Sequence, residues 1–426
     1  MNQAVREPLG ALLWRRWQDP AAWIATSDVF LILVAVSLPW STSLTAIFAV
    51  AALVAMAPFF DANAFLQSIK RPASIFPLAL FALAVVGTLW SEAPWGARLY
   101  SVGPAAKLLM VPLLFYHFER SARGIQVFKA FLISCVVLMA MSWLVAYDPR
   151  LALKSGADYG VPVKNYIDQS QEFALCAVAL AYPIAVQLRA KKIALALVLG
   201  ALALGFLANM AFVIVSRTAL VTIPIMLAVF GLMHLRWRAN VAILAAAVAL
   251  AGSAWVAAPQ LRDKVDSIGR EYQLYNEKGA TTSVGERLEF WRKSLRFFVE
   301  APIIGHGTGS TEKLFEQAAV GQTGVAAEVI RNPHNQTLNV AVQWGALGII
   351  ALYAMWFSHL MLFRGSGPMA WIGLLVVVQN FFTSLFNSHI FDFHEGWMYV
   401  LGVGVAGGMV LKARASESMK AAGASR

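Results

Sequence analysis

Long apolar stretches recur along almost the whole of this chain. Runs of roughly 16–25 apolar residues, close to the ~20 a helix needs to cross a bilayer, recur from near residue 27 to near residue 411. Only 13% of the 426 residues are Asp, Glu, Lys or Arg, and 59% are hydrophobic. A soluble fold of this size could not cover its surface with so few charges. That excludes an ordinary soluble enzyme, a disordered chain and a disulfide-stapled secreted domain. The apolar residues come in continuous runs instead of alternating segments, which excludes an outer-membrane barrel. What remains is an all-α, polytopic membrane protein.

Measured against bilayer thickness, the runs predict about twelve spans. They fall near 27–41, 43–59, 74–90, 103–117, 125–146, 170–188, 193–213, 218–233, 240–257, 336–362, 367–386 and 396–411. The first 26 residues mix Arg6, Arg15 and Arg16 with Trp14, Trp17 and Trp23. They read as an interfacial lead-in to a first span, without the pattern of a cleavable signal peptide. Cys135 and Cys176 both lie inside apolar runs and read as small core residues.

The formal net charge of +11 could suggest a nucleic-acid surface. In a membrane protein it is better explained by Lys and Arg that hold loops on the cytoplasmic side. With the N-terminus inside, 18 of the 34 basic residues fall in inside segments and six in short outside ones. The other ten lie in one long outside loop, where they are matched by ten acidic residues. An even number of spans then puts both termini in the cytoplasm. The chain divides into residues 1–257 with about nine spans, an outside loop region 258–335, residues 336–412 with about three spans, and a tail 413–426 expected to lack structure.

The long loop is too long to be a passive connector. Within it, Leu288, Trp291, Leu295 and Phe298 recur at helical spacing opposite charged residues. That predicts an amphipathic helix lying on the membrane or roofing the bundle.

Four segments on the predicted outer face carry polar groups able to do chemistry. Arg217 stands at the mouth of the eighth span. It either snorkels or captures an anion, for which its guanidinium fork is suited. Arg287 sits in the first turns of the loop helix, where the helix dipole also favours an anion; alone it would be a solvated surface charge. Asn332-Pro333-His334-Asn335 ends the loop. Asn332 is expected to cap the next helix and Pro333 to open it. His334 then lies at the outer mouth of the tenth span, as a simple cap or as a general base with an unperturbed pKa near 6.5. The fourth segment, Asn387 to Trp397, is rich in aromatics and polar groups. It fits an interfacial belt and a sugar-contacting loop equally well, and Asp392 could orient His334 or an acceptor hydroxyl.

The Gly305-His306-Gly307-Thr308-Gly309-Ser310 turn lacks the Lys-Ser/Thr of a phosphate-binding loop. There is no Asp-x-Asp pair, His-Glu-x-x-His or Cys-x-x-Cys. His389 and His394, flanking Asp392, give only a weak metal spacing. No metal and no cofactor are expected.

Taken together, these segments resemble the O-antigen ligase and polymerase superfamily of bacterial envelope glycosyltransferases. The matching features are Ser216-Arg217, Ser283-Val284-Gly285-Glu286-Arg287 followed by Trp291, and Ala301-Pro302-Ile303-Ile304-Gly305-His306-Gly307. Asn332-Pro333-His334-Asn335, leading into a span with Gly345 and Gly348, completes the set. The order, the long loop and the span number match over nearly the whole chain. The compact size and the Asn387-to-Trp397 ending look most like the ligase branch.

The resemblance implies a GT-C-like glycosyltransferase in the bacterial inner membrane. Its donor would be O-antigen polysaccharide on undecaprenyl pyrophosphate, and its acceptor a sugar hydroxyl of lipid A–core at the periplasmic face. It implies functional roles for His334, Arg217 and Arg287, with Asn335 and Asp392 as further candidates. It implies no metal and no nucleic acid, and leaves the oligomeric state open.

The residues fit this reading by their chemistry. Without a divalent ion, two arginines are the natural stabilisers of a departing pyrophosphate. His334 could deprotonate the acceptor for an inverting displacement. An O-antigen polymerase and a protein O-oligosaccharyltransferase share this chemistry and differ in acceptor. A secondary transporter or lipid flippase is disfavoured, because the spans are nearly free of acidic residues and the reactive groups sit at one face.

Overall fold

A computed structural model describes residues 18–278 and 280–424. Arg6, Arg15, Arg16, Trp14 and Trp17 of the expected lead-in lie outside the described residues. From Pro20 onward that stretch is already the first helix.

The described residues form helices α1 (Pro20–Ser37), α2 (Thr42–Met56), α3 (Ala62–Ile69), α4 (Pro72–Val86), α5 (Trp95–Ala106) and α6 (Met110–Phe118). They continue with α7 (Gly124–Tyr147), α8 (Tyr166–Ala179), α9 (Ala181–Arg189), α10 (Ile193–Phe212), α11 (Arg217–His234) and α12 (Trp237–Ala257). The last six are α13 (Pro259–Lys278), α14 (Ser283–Glu300), α15 (Ser310–Ala319), α16 (Gln336–Leu362), α17 (Pro368–Thr383) and α18 (Phe393–Ala424).

Nine helical segments among the described residues are long and apolar enough to cross a membrane, or ten if the pair α3–α4, bent by 87°, counts as one. The sequence predicts about twelve. The difference has local causes. The 74–90 run falls on that bent pair. The 367–386 run falls on α17, whose 16 residues rise only ~24 Å, short of a ~30 Å hydrocarbon core. The 240–257 run does fall on one helix, the 21-residue α12.

Helix starts follow capping chemistry. Asp19 accepts from the Ala21 N–H before Pro20, and Ser41 from Leu44. The C-terminal tail departs from expectation, because α18 runs unbroken to Ala424. Its Ala, Lys, Glu, Ser and Met residues propagate a helix nucleated in the membrane.

The inner part of the bundle is built by α16, α17 and α18, which pack on one another and on α4, α6 and α11. In the span Phe393–Ala422 72% of the best window is buried in protein, against 33% in Pro20–Ser37, which therefore faces lipid. Two acidic side chains within spans are paired, as low dielectric requires: Asp28 meets His117 at 2.7 Å, and Glu172 meets Lys164 of the preceding loop at 3.1 Å. The spans thus carry more acidic residues than the sequence reading allowed for.

One irregularity positions the site. Gly345 (φ 60°, ψ −150°) breaks α16, which strands backbone groups that lipid cannot satisfy. The glycine-rich turn satisfies them. Val342 and Gln343 carbonyls accept from His306 and Gly307, while Ala346 donates to Pro302. Gly345 itself abuts the Ile303 carbonyl so closely that a Cβ would lie 2.5 Å from it. The glycines are therefore a splice into the broken helix, not a free turn.

Residues 258–335 hold three helices, α13 to α15. The α14 helix exists as expected, but its packing face is different. Phe290 and Phe297 are buried against Phe315, while Leu288 and Leu295 are exposed. Leu288 and Trp291 border an apolar cavity, Leu295 is exposed, and the face buried in the protein combines aromatics with Glu289 and Lys293.

Candidate functional site

Five chain segments meet at one end of the bundle: the start of α8, the start of α11, the facing side of α13, the start of α14 and the turn 384–392 before α18. Between them lies a cavity of about 220 Å³ whose lining includes Arg217, Lys264, Glu271, Arg287, Asn387 and His389. A second cavity of about 240 Å³ shares Arg217 and Arg287 but is otherwise mainly apolar, with Val221, Ile268, Leu288, Trp291 and Phe386. The two guanidiniums therefore stand between a polar chamber and a greasy groove.

The two arginines differ in state. Arg217 opens α11 after the Ser216 cap. Its guanidinium forms a bidentate ion pair with Glu271, with an Nη1 to Oε2 distance of 3.1 Å, and donates to Ser267 Oγ at 2.7 Å. Its Nε is buried with no acceptor among the described residues. Arg287 makes no hydrogen bond or ion pair among the described residues. Burial first, and Arg217 second, hold its guanidinium pKa below the ordinary value. A cation strained in this way is stabilised by an arriving anion.

His334 sits in the left-handed region at φ 54°, a conformation that costs a non-glycine residue about 1–3 kcal/mol. Polar contacts hold it there. Its N–H donates to Asn332 Oδ1 at 2.9 Å, and its Nδ1 lies 2.8 Å from Asn387 Oδ1. An amide oxygen can only accept, so Nδ1 carries the proton and Nε2 keeps the lone pair a base needs. The amide nitrogen of Asn387 donates in turn to Asp392 Oδ2 at 2.9 Å. Phe290 stacks on the imidazole at 6.4 Å between centroids. Burial, and to a smaller extent Arg287, lower the His334 pKa, with the Asn387 contact opposing. Burial first, and Glu395 second, raise the Asp392 pKa to about 7.

The structure thus brings Arg217 and Arg287 into one cavity and ties His334 to its wall through Asn387. Asn335 and Asn332 exchange the parts expected of them. Asn335 is the cap of α16, accepting from the Leu338 N–H at 3.0 Å, and also donates to the Leu385 carbonyl. Asn332 does not cap the helix, because the turn through Pro333 and His334 delays its start to Gln336. Its side chain is spent holding His334 and accepting from Ser388. Asp392 reaches His334 only through Asn387.

His389 and His394 do not share a site. His394 pairs with Asp168 at 2.7 Å, whereas His389 lies 3.5 Å from both Asp392 and Glu395. His389, Asp392 and Glu395 are a group whose potential ligand atoms lie within 4.8 Å of one another.

Sequence reasoning missed Lys264, Glu271 and Asn387. The first two carried a signal: Lys264, Ser267, Ile268 and Glu271 repeat at one-face helical spacing in α13. Asn387 carried none beyond its place in the polar turn. A larger cavity of about 560 Å³ lies among the spans, but it is lined almost wholly by apolar side chains such as Phe128, Leu132, Leu175 and Trp371.

Residues 201–353 match the family model described as O-antigen ligase. That span contains Arg217, Arg287 and His334, and stops short of Asn387 and Asp392. No curated protein matches the chain. The family match supports membership of the O-antigen ligase family.

Proposed function

From that family relationship we propose that the protein transfers a glycan from a polyprenyl pyrophosphate to a sugar hydroxyl of lipid A–core, acting as an O-antigen ligase at the periplasmic face of the inner membrane. The observation that carries this reading is the shared position of Arg217 and Arg287 between a polar and an apolar cavity. An amphipathic ligand with a diphosphate head and a hydrocarbon tail fits that junction: the head is stabilised by the guanidiniums and the tail by the groove.

In the proposed reaction His334 Nε2 takes the proton of the acceptor hydroxyl. The acceptor oxygen attacks the anomeric carbon, and the bond from that carbon to the pyrophosphate oxygen breaks. Charge develops on the leaving diphosphate, where Arg287 is free to receive it. Arg217 is held ready by Glu271. One displacement inverts the anomeric carbon. A retained configuration would need a carboxylate nucleophile, and Glu271 is already committed to Arg217.

Supplying purified protein with undecaprenyl-pyrophosphate glycan and each acceptor in turn tests this. Product on lipid A–core alone supports the ligase. Lengthened donor glycan without lipid A–core would make the protein a polymerase, and glycosylated protein acceptor would make it an oligosaccharyltransferase.

A further inference from the structure

A second polar cavity, also of about 220 Å³, lies on the other flank of the His334 turn, lined by Tyr100, Ser101, Thr311, Glu312, Arg331 and Gln343. Three features suggest a ligand. The Thr311 hydroxyl oxygen is buried without a partner among the described residues, in a residue only 3% exposed. Glu312 and Arg331 pair through Oε2 and Nε at 2.7 Å, which leaves the other carboxylate oxygen and both Nη groups without a hydrogen bond among the described residues. Their charges cancel, so this cavity lacks the anion-seeking excess of the Arg217–Arg287 chamber. Arg331 also lies over the Tyr100 ring at 5.6 Å, giving a flat face beside the polar groups.

The cavity is wired to His334. Gln343 donates to Asn339 at 2.6 Å, Asn339 to Ser388 at 3.0 Å, and Ser388 to Asn332 at 2.6 Å; Asn332 accepts the His334 N–H. Arg331 and His334 are three residues apart, so their backbones are within ~11 Å even if the chain is fully extended.

We propose that this cavity is a carbohydrate subsite, holding a neutral sugar unit next to the one that reacts. A pyranose offers hydroxyls that both donate and accept. The cavity answers with hydroxyls, a carboxylate oxygen, guanidinium N–H groups and an aromatic face, and has no net charge to select phosphate. The proposal rests on the glycosyl-transfer reading and deepens it. The sugar belongs either to the acceptor or to the donor glycan.

Two variants test it in full-length protein. Thr311→Val removes the unpaired hydroxyl at constant shape. Gly96→Phe fills the cavity from its rim, where a Cβ meets nothing within 4 Å. We expect KM for one sugar substrate to rise tenfold or more in Gly96→Phe and several-fold in Thr311→Val, with kcat within about twofold. A rise confined to lipid A–core assigns the unit to the acceptor, and one confined to the lipid-linked glycan assigns it to the donor. Unchanged KM for both substrates in both variants, with an active wild type, overturns the subsite and leaves the function intact. A wild type that transfers nothing overturns the function; saturation-transfer NMR with free core oligosaccharide, and separately with delipidated donor glycan, then reads the subsite directly. Contacts with either that vanish in Gly96→Phe support it, and their absence in the wild type ends it.

Discussion

Asn387 Oδ1 lies 2.8 Å from Nδ1 of His334, and the two residues are 53 positions apart in the chain. This contact fixes which imidazole nitrogen holds the proton and leaves Nε2 available. Asn387 is itself held by Asp392, so the histidine is oriented from two residues away.

That arrangement sets a pH dependence. Burial places the His334 pKa below its ordinary value near 6.5. The imidazole is protonated, and unable to act as a base, only below that lowered pKa. The rate of glycan transfer should therefore fall on acidification with a midpoint below 6.5. Asn387→Asp puts a carboxylate beside the ring, favours the imidazolium and should move the midpoint upward. A kcat/KM profile that is identical in the two proteins would remove His334 from the proton transfer.

Removing a donor that stabilises developing charge in a dry site costs ~10²–10³-fold in rate. Arg287→Ala should lose at least that, with normal membrane insertion, because Arg287 makes no ion pair among the described residues. Arg217→Ala should lose as much and also lower thermal stability, because it strands Glu271. Transfer assays alongside fluorescence-detected size exclusion separate the two effects. Near-normal transfer by Arg287→Ala would mean the diphosphate binds elsewhere.

Transfer should survive EDTA, since two guanidiniums take the place of a divalent ion in the proposed chemistry. His389, Asp392 and Glu395 supply the alternative. Activity lost in chelator and restored by Mg²⁺ or Mn²⁺ would assign them a metal.

Gly345→Ala forces an alanine into φ 60°, ψ −150° and sets its Cβ 2.5 Å from the Ile303 carbonyl. The conformation alone costs about 1–3 kcal/mol. The variant should show a lower melting temperature and less folded protein after extraction. Wild-type stability would mean the splice at the broken helix tolerates movement.

That the chain is a bundle of membrane helices is legible from the residues in order, because apolar runs and the charges ending them are local features of a one-dimensional string. The sequence also marks out Arg217 and His334, which stand in short polar segments at the edges of apolar runs, and Arg287, which stands in the first turns of an amphipathic loop helix. Folding adds that Arg217 is clamped by Glu271 while Arg287 has no ion pair among the described residues, that Asn335 and not Asn332 caps α16, and that α14 buries Phe290 and Phe297 and leaves Leu295 exposed. Those outcomes depend on which helix ends become neighbours, through contacts across some 50 residues of chain. Side-chain partners at such separations are chosen by packing, and local periodicity carries no record of them.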